Sequence, residues 1–307
     1  MDGILVIDKP TGFSSHDIVQ KMRRIAKQRK VGHAGTLDPL ATGVLPLLLG
    51  KATKISRYLT GQDKSYDTEL CLGITTDTLD SDGRVVERKD VDISLKQLEE
   101  VLDTFRGSIE QIPPMYSAKK VEGKKLYELA RKGKTVEREA KEIRIDSLEL
   151  LDFDAPTCRL RVKCSSGTYI RTLVDDIGQA LGCGAHVTAL RRLEVGTFRL
   201  SQAFTLEELE AREEPLEGAL LGMDDALTTM PTIELSSQLE RMVCLGHQLK
   251  VQDVHHLKMS AFARDEAILL KSQEGRALAV ARSVFACDTL LHEPMEEQAL
   301  KTERVLV

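Results

Sequence analysis

The chain has 307 residues, 42% of them hydrophobic and 30% charged, with a net charge of −5; this is the profile of a soluble globular protein with room for one large domain and a small one. No window of about 18 uncharged apolar residues offers a membrane span, and Met1 to Lys9 lacks the basic stretch and long apolar run of a secretory signal. The six cysteines are scattered, with no CxxC pair and no histidines at zinc spacing, which excludes a zinc framework and predicts reduced, buried thiols in a cytoplasmic protein.

In chain order, Ile4 to Ile7 reads as a short buried strand, followed by a turn at Lys9-Pro10-Thr11-Gly12 and a helix beginning after Ser14 or Ser15. Asp17 suits the first turn of that helix, and Ile18, Met22 and Ile25 give it one apolar stripe. From Gly32 to Gly50 runs GHAGTLDPLATGVLPLLLG, where small and turn-forming residues crowd around Asp38 ahead of an apolar run expected to be helical. Pro39 pushes the backbone of Asp38 away from helix, and Gly32, Gly35 and Gly43 permit tight turns and close approach by a ligand. On this local pattern Asp38 reads equally as the cap of a following helix and as a functional acid.

From Tyr66 to Leu72 the pattern alternates, with Tyr66, Thr68, Leu70 and Leu72 on one face of a strand. Ser94 with Gln97 forms a capping box for a helix whose face is Leu95, Leu98, Val101, Leu102 and Phe105, with Gly107 expected as its C-terminal cap. Cys158, Leu160, Val162 and Cys164 alternate as another strand; Ser165-Ser166-Gly167 breaks it, and Ile170, Leu173, Val174, Ile177 and Leu181 trace a helix with Tyr169 and Arg171 near its start. Strands and helices interleave without regular βαβ spacing, which predicts an α+β fold with a mixed or antiparallel sheet. Beyond Pro231 come two β-rich runs around Glu274-Gly275, so residues 232–307 are expected to form a small β-rich domain after a larger one spanning 1–231.

Charge is distributed unevenly along this frame. Residues 1–60 carry ten Lys or Arg against four Asp, and residues 119–144 carry ten against five Glu. Phe204 to Met230 carries six Glu and two Asp against Arg212 alone. The first two are basic segments that suit either a solvated face or a polyanion, and the third is an acidic connector expected to face solvent or pack between domains.

The Gly32 to Gly50 run resembles the hallmark motif of the TruB family of pseudouridine synthases along its whole length. The resemblance continues, in order, through GILVIDKPTGFSSHDIV, KSYDTELCLGITTDTLDSDG from Lys64, QIPPMYSAKKVEGKKLYELARKG, and SGTYIRTLVDDIGQALGCGAHVTALRR from Ser166. It implies a pseudouridine synthase fold with a PUA-like RNA-binding C-terminal domain, and isomerisation of uridine 55 in the tRNA T-loop with base flipping and no cofactor or metal. By the same resemblance Asp38 is the essential carboxylate, Arg171 the arginine that pairs with it, and Tyr66 the tyrosine that stacks on the target base and helps remove the C5 proton. His33 occupies the stack vacated by the flipped nucleotide, Tyr169 and Leu190 line the uridine pocket, and residues 119–144 form a segment that closes over RNA. Without the motif, Arg171 reads as a surface residue, Tyr66 as core and His33 as a loop histidine. An arginine partner is expected to lower an aspartate pKa by roughly 1–3 units.

The expected partner is tRNA through its T stem-loop, bound by a monomer, since no long heptad or exposed apolar stripe stands out. Competing readings are a guide-dependent relative working inside a ribonucleoprotein, against which the 119–144 insert argues, and a tRNA-binding folding helper independent of catalysis. Asp77, Asp80, Asp82 and Gly83 faintly echo a calcium loop, but Thr78 stands where its first aspartate is required, so a solvated turn is expected there.

Overall fold

The computed structural model describes residues 1–117, 119–121, 123–130 and 132–307. Ala118, Glu122 and Arg131, within or beside the basic insert, lie outside the described residues. β1 (Gly3–Lys9) is followed by α1 (Ser15–Ile25), β2 (Val31–His33), β3 (Thr42–Leu49), α2 (Ser56–Thr60) and β4 (Lys64–Leu72). Then come the hairpin β5 (Ile74–Thr76) and β6 (Val85–Arg88), α3 (Leu95–Thr104), β7 (Gly107–Gln111), the short pair β8 (Lys120–Val121) and β9 (Lys124–Lys125), and α4 (Leu126–Ala130). The long hairpin β10 (Lys141–Asp154) and β11 (Thr157–Cys164), α5 (Ile170–Ala180), β12 (Ala185–Val195) and β13 (Phe198–Arg199) complete the larger part.

Among the described residues a mixed sheet runs in the order β1-β3-β12-β4-β11-β10-β7, with β2 added on β3 and β13 on β12. Within this sheet, among the described residues, β3 and β12 are the one parallel pair. α1 starts as its sequence predicts: Ser14 caps it in a reciprocal box with Asp17, and Ile18, Val19 and Met22 are buried. β4 and β11 bury every second residue, so Tyr66, Leu70, Leu160 and Val162 join Leu98 and Leu102 of α3 and Leu173, Val174 and Ile177 of α5 in one core. The opposite face of these strands is polar and carries the Arg161–Asp67 ion pair at 2.8 Å.

Two local expectations are corrected. The apolar run after Asp38 is strand β3, not a helix, and seven of its eight residues are buried. Covered on both faces and flanked by β1, β2 and β12, it has no exposed side to impose a period, so a continuous apolar run carries no helix or strand signature. The α3 cap is Phe105; Gly107, at φ +85°, instead turns the chain into β7.

Gly43 shows how closely the larger sheet is packed. Its φ is +99°, and a Cβ there would lie 2.1 Å from the backbone oxygen of Arg192 on the parallel neighbour. Gly43→Ala is therefore expected to cost about 3 kcal/mol through strain and forced separation of β3 from β12, read as a lowered midpoint in urea with an unchanged m-value.

A second sheet runs β14-β16-β17-β18-β15, where β14 (Thr232–Leu235), β15 (Leu249–Lys250), β16 (Ala267–Ser272), β17 (Ala277–Ser283) and β18 (Gln298–Val305) follow the connector. The sheets share a core in which Ile4, Val6, Val44 and Leu48 cluster with Leu269, Val280 and Leu306. The acidic connector helps to build this junction. Leu206 and Leu209 are buried in the main core, Leu221 bridges to Ile4, and the Asp224 carboxylate accepts the Ala277 backbone N–H at 2.5 Å.

Candidate active site

The loop between β2 and β3 is held from both sides by buried cations. Lys9, fully buried at the end of β1, donates from Nζ to the carbonyls of Pro10 at 2.9 Å, Phe13 at 2.6 Å and Pro39 at 3.3 Å. Arg192, fully buried on β12, donates to the carbonyls of Val44, Thr36 and Gly35 at 2.8, 3.2 and 3.2 Å. Ser15 of α1 closes the clamp: its hydroxyl accepts the Leu37 N–H at 2.7 Å and donates to the Leu37 carbonyl at 3.1 Å. Asp38, between Leu37 and Pro39, is thereby fixed on a loop whose carbonyls from Gly35 to Leu40 all accept hydrogen bonds.

Opposite it stands Arg171, in the first turn of α5 and 5% exposed rather than on the surface. Its Nε lies 2.9 Å from Asp38 Oδ2 and its second nitrogen 3.2 Å from Asp80 Oδ2. The remaining donors reach the carbonyls of Thr78 and Tyr116, each at 2.8 Å. The guanidinium thus joins the β2–β3 loop, the β5–β6 turn and the segment before the basic insert. α5 is set in place by Gln111 of β7, which accepts the Tyr169 N–H at 2.8 Å and donates to the Tyr169 carbonyl at 3.1 Å.

Two adjoining cavities meet at Asp38 and Arg171. One of about 240 Å³ is lined by Gly35, Asp38, Lys64, Tyr66, Tyr169, Leu190 and Arg192 among others; a wider one of about 710 Å³ takes in His16, His33, Asp80, Tyr116 and Tyr127. The six residues singled out in the sequence therefore lie on one connected hollow, Asp38 and Arg171 on both parts of it. Asp80, Lys9 and Arg192 were missed. Asp80 was read as part of a solvated turn but is 4% exposed, and nothing in its sequence neighbourhood shows that the hairpin folds back over α5. Among the described residues no cluster of ligating side chains fits a metal ion, and the Asp77 carboxylate accepts the Arg84 backbone N–H at 2.8 Å.

Electrostatics at the floor of the hollow oppose each other. Burial pushes the Asp38 carboxyl above the ordinary aspartate range; Arg171 pulls it down, Asp80 pushes it up again and Lys9 pulls it down. The net direction is opposite to that expected from an arginine partner alone, because burial outweighs the pull of Arg171, which also faces Asp80. Burial also pushes the Tyr66 hydroxyl up, against the pull of Arg192, and pushes the His33 imidazole down. Lys9 and Lys64 are each pushed down to about 8 by burial.

The sign for Asp38 follows. For an activity that requires Asp38 ionised, the raised pKa sets the expectation that the rate rises with pH through a midpoint above the usual aspartate value and levels off beyond it. For stability the raised folded-state pKa means that this group's contribution is largest below its unfolded value and is lost as pH rises through the folded one. A single-turnover pH profile with an acid limb at or below about 3.9 would contradict the burial argument.

Residues 23–170 match the family described as TruB family pseudouridylate synthase (N terminal domain), and residues 171–228 match the tRNA pseudouridylate synthase B C-terminal domain. The chain is similar to tRNA pseudouridine synthase B of Pseudomonas aeruginosa, with 52% identity over 77% of this chain and 79% of that protein. It is similar also to that of Pseudomonas putida, with 51% identity over 84% and 87%, and that of Histophilus somni, with 48% over 81% and 83%. Among solved structures, a chain of a Cbf5-Nop10-Gar1 complex superposes with a TM-score of 0.81 at 26% identity, covering 99% of this chain and 85% of that one. A chain of the archaeal box H/ACA sRNP Nop10-Cbf5 complex gives 0.78 at 25% identity, covering 99% and 86%.

Proposed function

The chain belongs to the TruB family of pseudouridine synthases, and from that premise we propose that it isomerises uridine 55 in the T-loop of tRNA, with Asp38 as the essential carboxylate and no cofactor. As a family member it is a tRNA-modifying isomerase with an α+β fold. The observation that carries the finer reading is the position of Asp38: on a rigid loop, at the meeting of two cavities, 2.9 Å from a buried arginine.

The reaction breaks the bond from N1 to the sugar carbon, turns the base, joins C5 to that carbon, and exchanges the C5 proton for one on N1. Nothing enters or leaves overall. An ionised Asp38 either attacks the sugar carbon or takes a sugar proton to form a glycal; both routes need the carboxylate and its fixed geometry. Tyr66 offers a face for the base and a hydroxyl to help remove the C5 proton, with Arg192 beside it opposing the upward push of burial on that hydroxyl. Leu190 and Tyr169 supply the apolar walls that a flat pyrimidine requires. Extrusion of the nucleotide costs a few kcal/mol of stacking, and a His33 ring inserted in its place offsets part of that.

In this reading residues 1–231 form the catalytic domain, residues 119–144 close over the RNA, and residues 232–307 form a PUA-like RNA-binding domain in a cytoplasmic monomer. The curated relatives, about twice as identical to this chain as the Cbf5 chains, favour a stand-alone enzyme over a guide-dependent one. A catalysis-independent role as a tRNA-folding helper is the second reading, supported by the core shared between the two sheets, which fixes them to one another. The deciding experiment is tritium release from a T-arm RNA labelled at uridine C5. Release supports isomerisation, whereas binding without release supports the helper.

A further inference from the structure

Among the described residues, Lys64, Arg171 and Arg192 are the cations that line the smaller cavity. The two arginines are largely committed. Arg171 divides four of its five donors between Asp38, Asp80 and the carbonyls of Thr78 and Tyr116. Arg192 holds the carbonyls of Val44, Thr36 and Gly35 and reaches the Tyr66 hydroxyl. Lys64 opens β4 two residues before Tyr66, on the same face of the strand. Its Nζ donates to the carbonyls of Gln62 at 2.6 Å and Thr60 at 3.2 Å. Those bonds fix the ammonium at the turn between α2 and β4 and leave one of its three donors unspent. A Cβ built on Gly35 would lie 3.7 Å from Arg192 Nη1 and 3.8 Å from Lys64 Cε, so the glycine leaves both cations room on the cavity wall. Burial lowers the Lys64 pKa to about 8, and the ammonium is still the major form at neutral pH.

In the reaction proposed above, the bond from N1 to C1′ breaks and its electron pair leaves with the base. Asp38 then holds C1′ as an ester or has taken the C2′ proton. By either route the detached uracil carries one negative charge, spread over N1, O2 and O4, until C5 bonds to C1′. The base at that moment lies against Tyr66, Tyr169 and Leu190, which line the same cavity as Lys64. We propose that the Lys64 ammonium donates to an exocyclic carbonyl oxygen of the bound uracil and stabilises the uracil anion while it is detached from the sugar. The proposal rests on the uridine reading above and supplies a group for the half of the reaction that Asp38 does not serve: the carboxylate acts on the sugar, and a cation held by two carbonyls acts on the base. A donor fixed in advance, in a cavity that excludes water, acts most strongly where charge develops. That charge exists only once the bond has broken, so the contact raises rate more than affinity.

The test is single-turnover tritium release from T-arm RNA labelled at C5 of its target, which is uridine, 2-thiouridine or 4-thiouridine, by wild type and Lys64→Met. Sulfur is the weaker hydrogen-bond acceptor. Lys64→Met is expected to slow release from uridine about 10²-fold, while binding the RNA within about threefold of wild type. One of the two thio substitutions is expected to slow wild type about tenfold more than it slows the variant. Lys64→Gln, which keeps a hydrogen bond to the turn without the charge, serves for the same comparison if the methionine variant melts early. A lysine that only held the turn would give all three RNAs one common factor of slowing, and that result overturns the proposal. Weak RNA binding with wild-type release once bound also overturns it, by moving Lys64 to the RNA backbone. Failure of wild type to release tritium from uridine would refute the uridine reading itself, and with it any role for Lys64 in that reaction.

Discussion

Asp38→Asn is expected to release no tritium from uridine C5 above a rate about 10⁴-fold below wild type, while binding T-arm RNA within about tenfold, or 1.4 kcal/mol, of it. Asparagine keeps the shape and can still accept from Arg171 Nε, but it can neither attack the sugar carbon nor accept a proton. The fold should tolerate the change. Arg171 retains Asp80 and the carbonyls of Thr78 and Tyr116, and the carboxyl removed is one that burial already disfavours as an anion. Melting within a few degrees of wild type, together with lost turnover and retained binding, assigns the chemistry to the carboxylate. Residual turnover within about tenfold of wild type would remove Asp38 from that role.

Arg171→Leu is expected to lose about 3–5 kcal/mol of stability, because it removes the buried cation that pairs with both the buried Asp80 and the one-third exposed Asp38. One acid must then take up a proton. If Asp38 does so, the acid limb of the pH profile moves further up and turnover at neutral pH falls by about 10² to 10³. Arg171→Lys separates charge from geometry: an ammonium has three donors and no planar fork, so it cannot serve both carboxylates and both carbonyls. It should recover part of the stability and hold the acid limb near wild type, yet leave turnover at least about tenfold low, because Asp38 is no longer aimed. Denaturant melts and single-turnover pH profiles of both variants read these outcomes. A leucine variant as stable as wild type would show that the Asp38–Arg171–Asp80 group carries no structural load.

The sequence alone determined the elements that have one wet face and one dry one. α1, α3, β4, β11 and α5 were all legible because burial alternates along them with period 3.6 or 2, and because Ser14 and Ser94 mark their helix starts by side-chain hydrogen bonds local in the chain. The loop around Asp38 stood out for a different reason: its motif and a resemblance running through five collinear segments pointed to that acid, and the fold sets it at the meeting of two cavities. Tertiary structure alone decided the rest. β3 has no wet face, so its eight residues gave no period, and only pairing with β1 and β12 makes it a strand. Arg171 looked like a surface residue because burial of a guanidinium depends on four acceptors drawn from three distant segments. Asp80 looked solvated because the hairpin that carries it meets α5 only in the fold. The direction of the Asp38 shift likewise followed from the tertiary structure: a sequence names the arginine that lowers it, but the cavity that desolvates it and the second acid that divides the arginine exist only once the chain has closed around them.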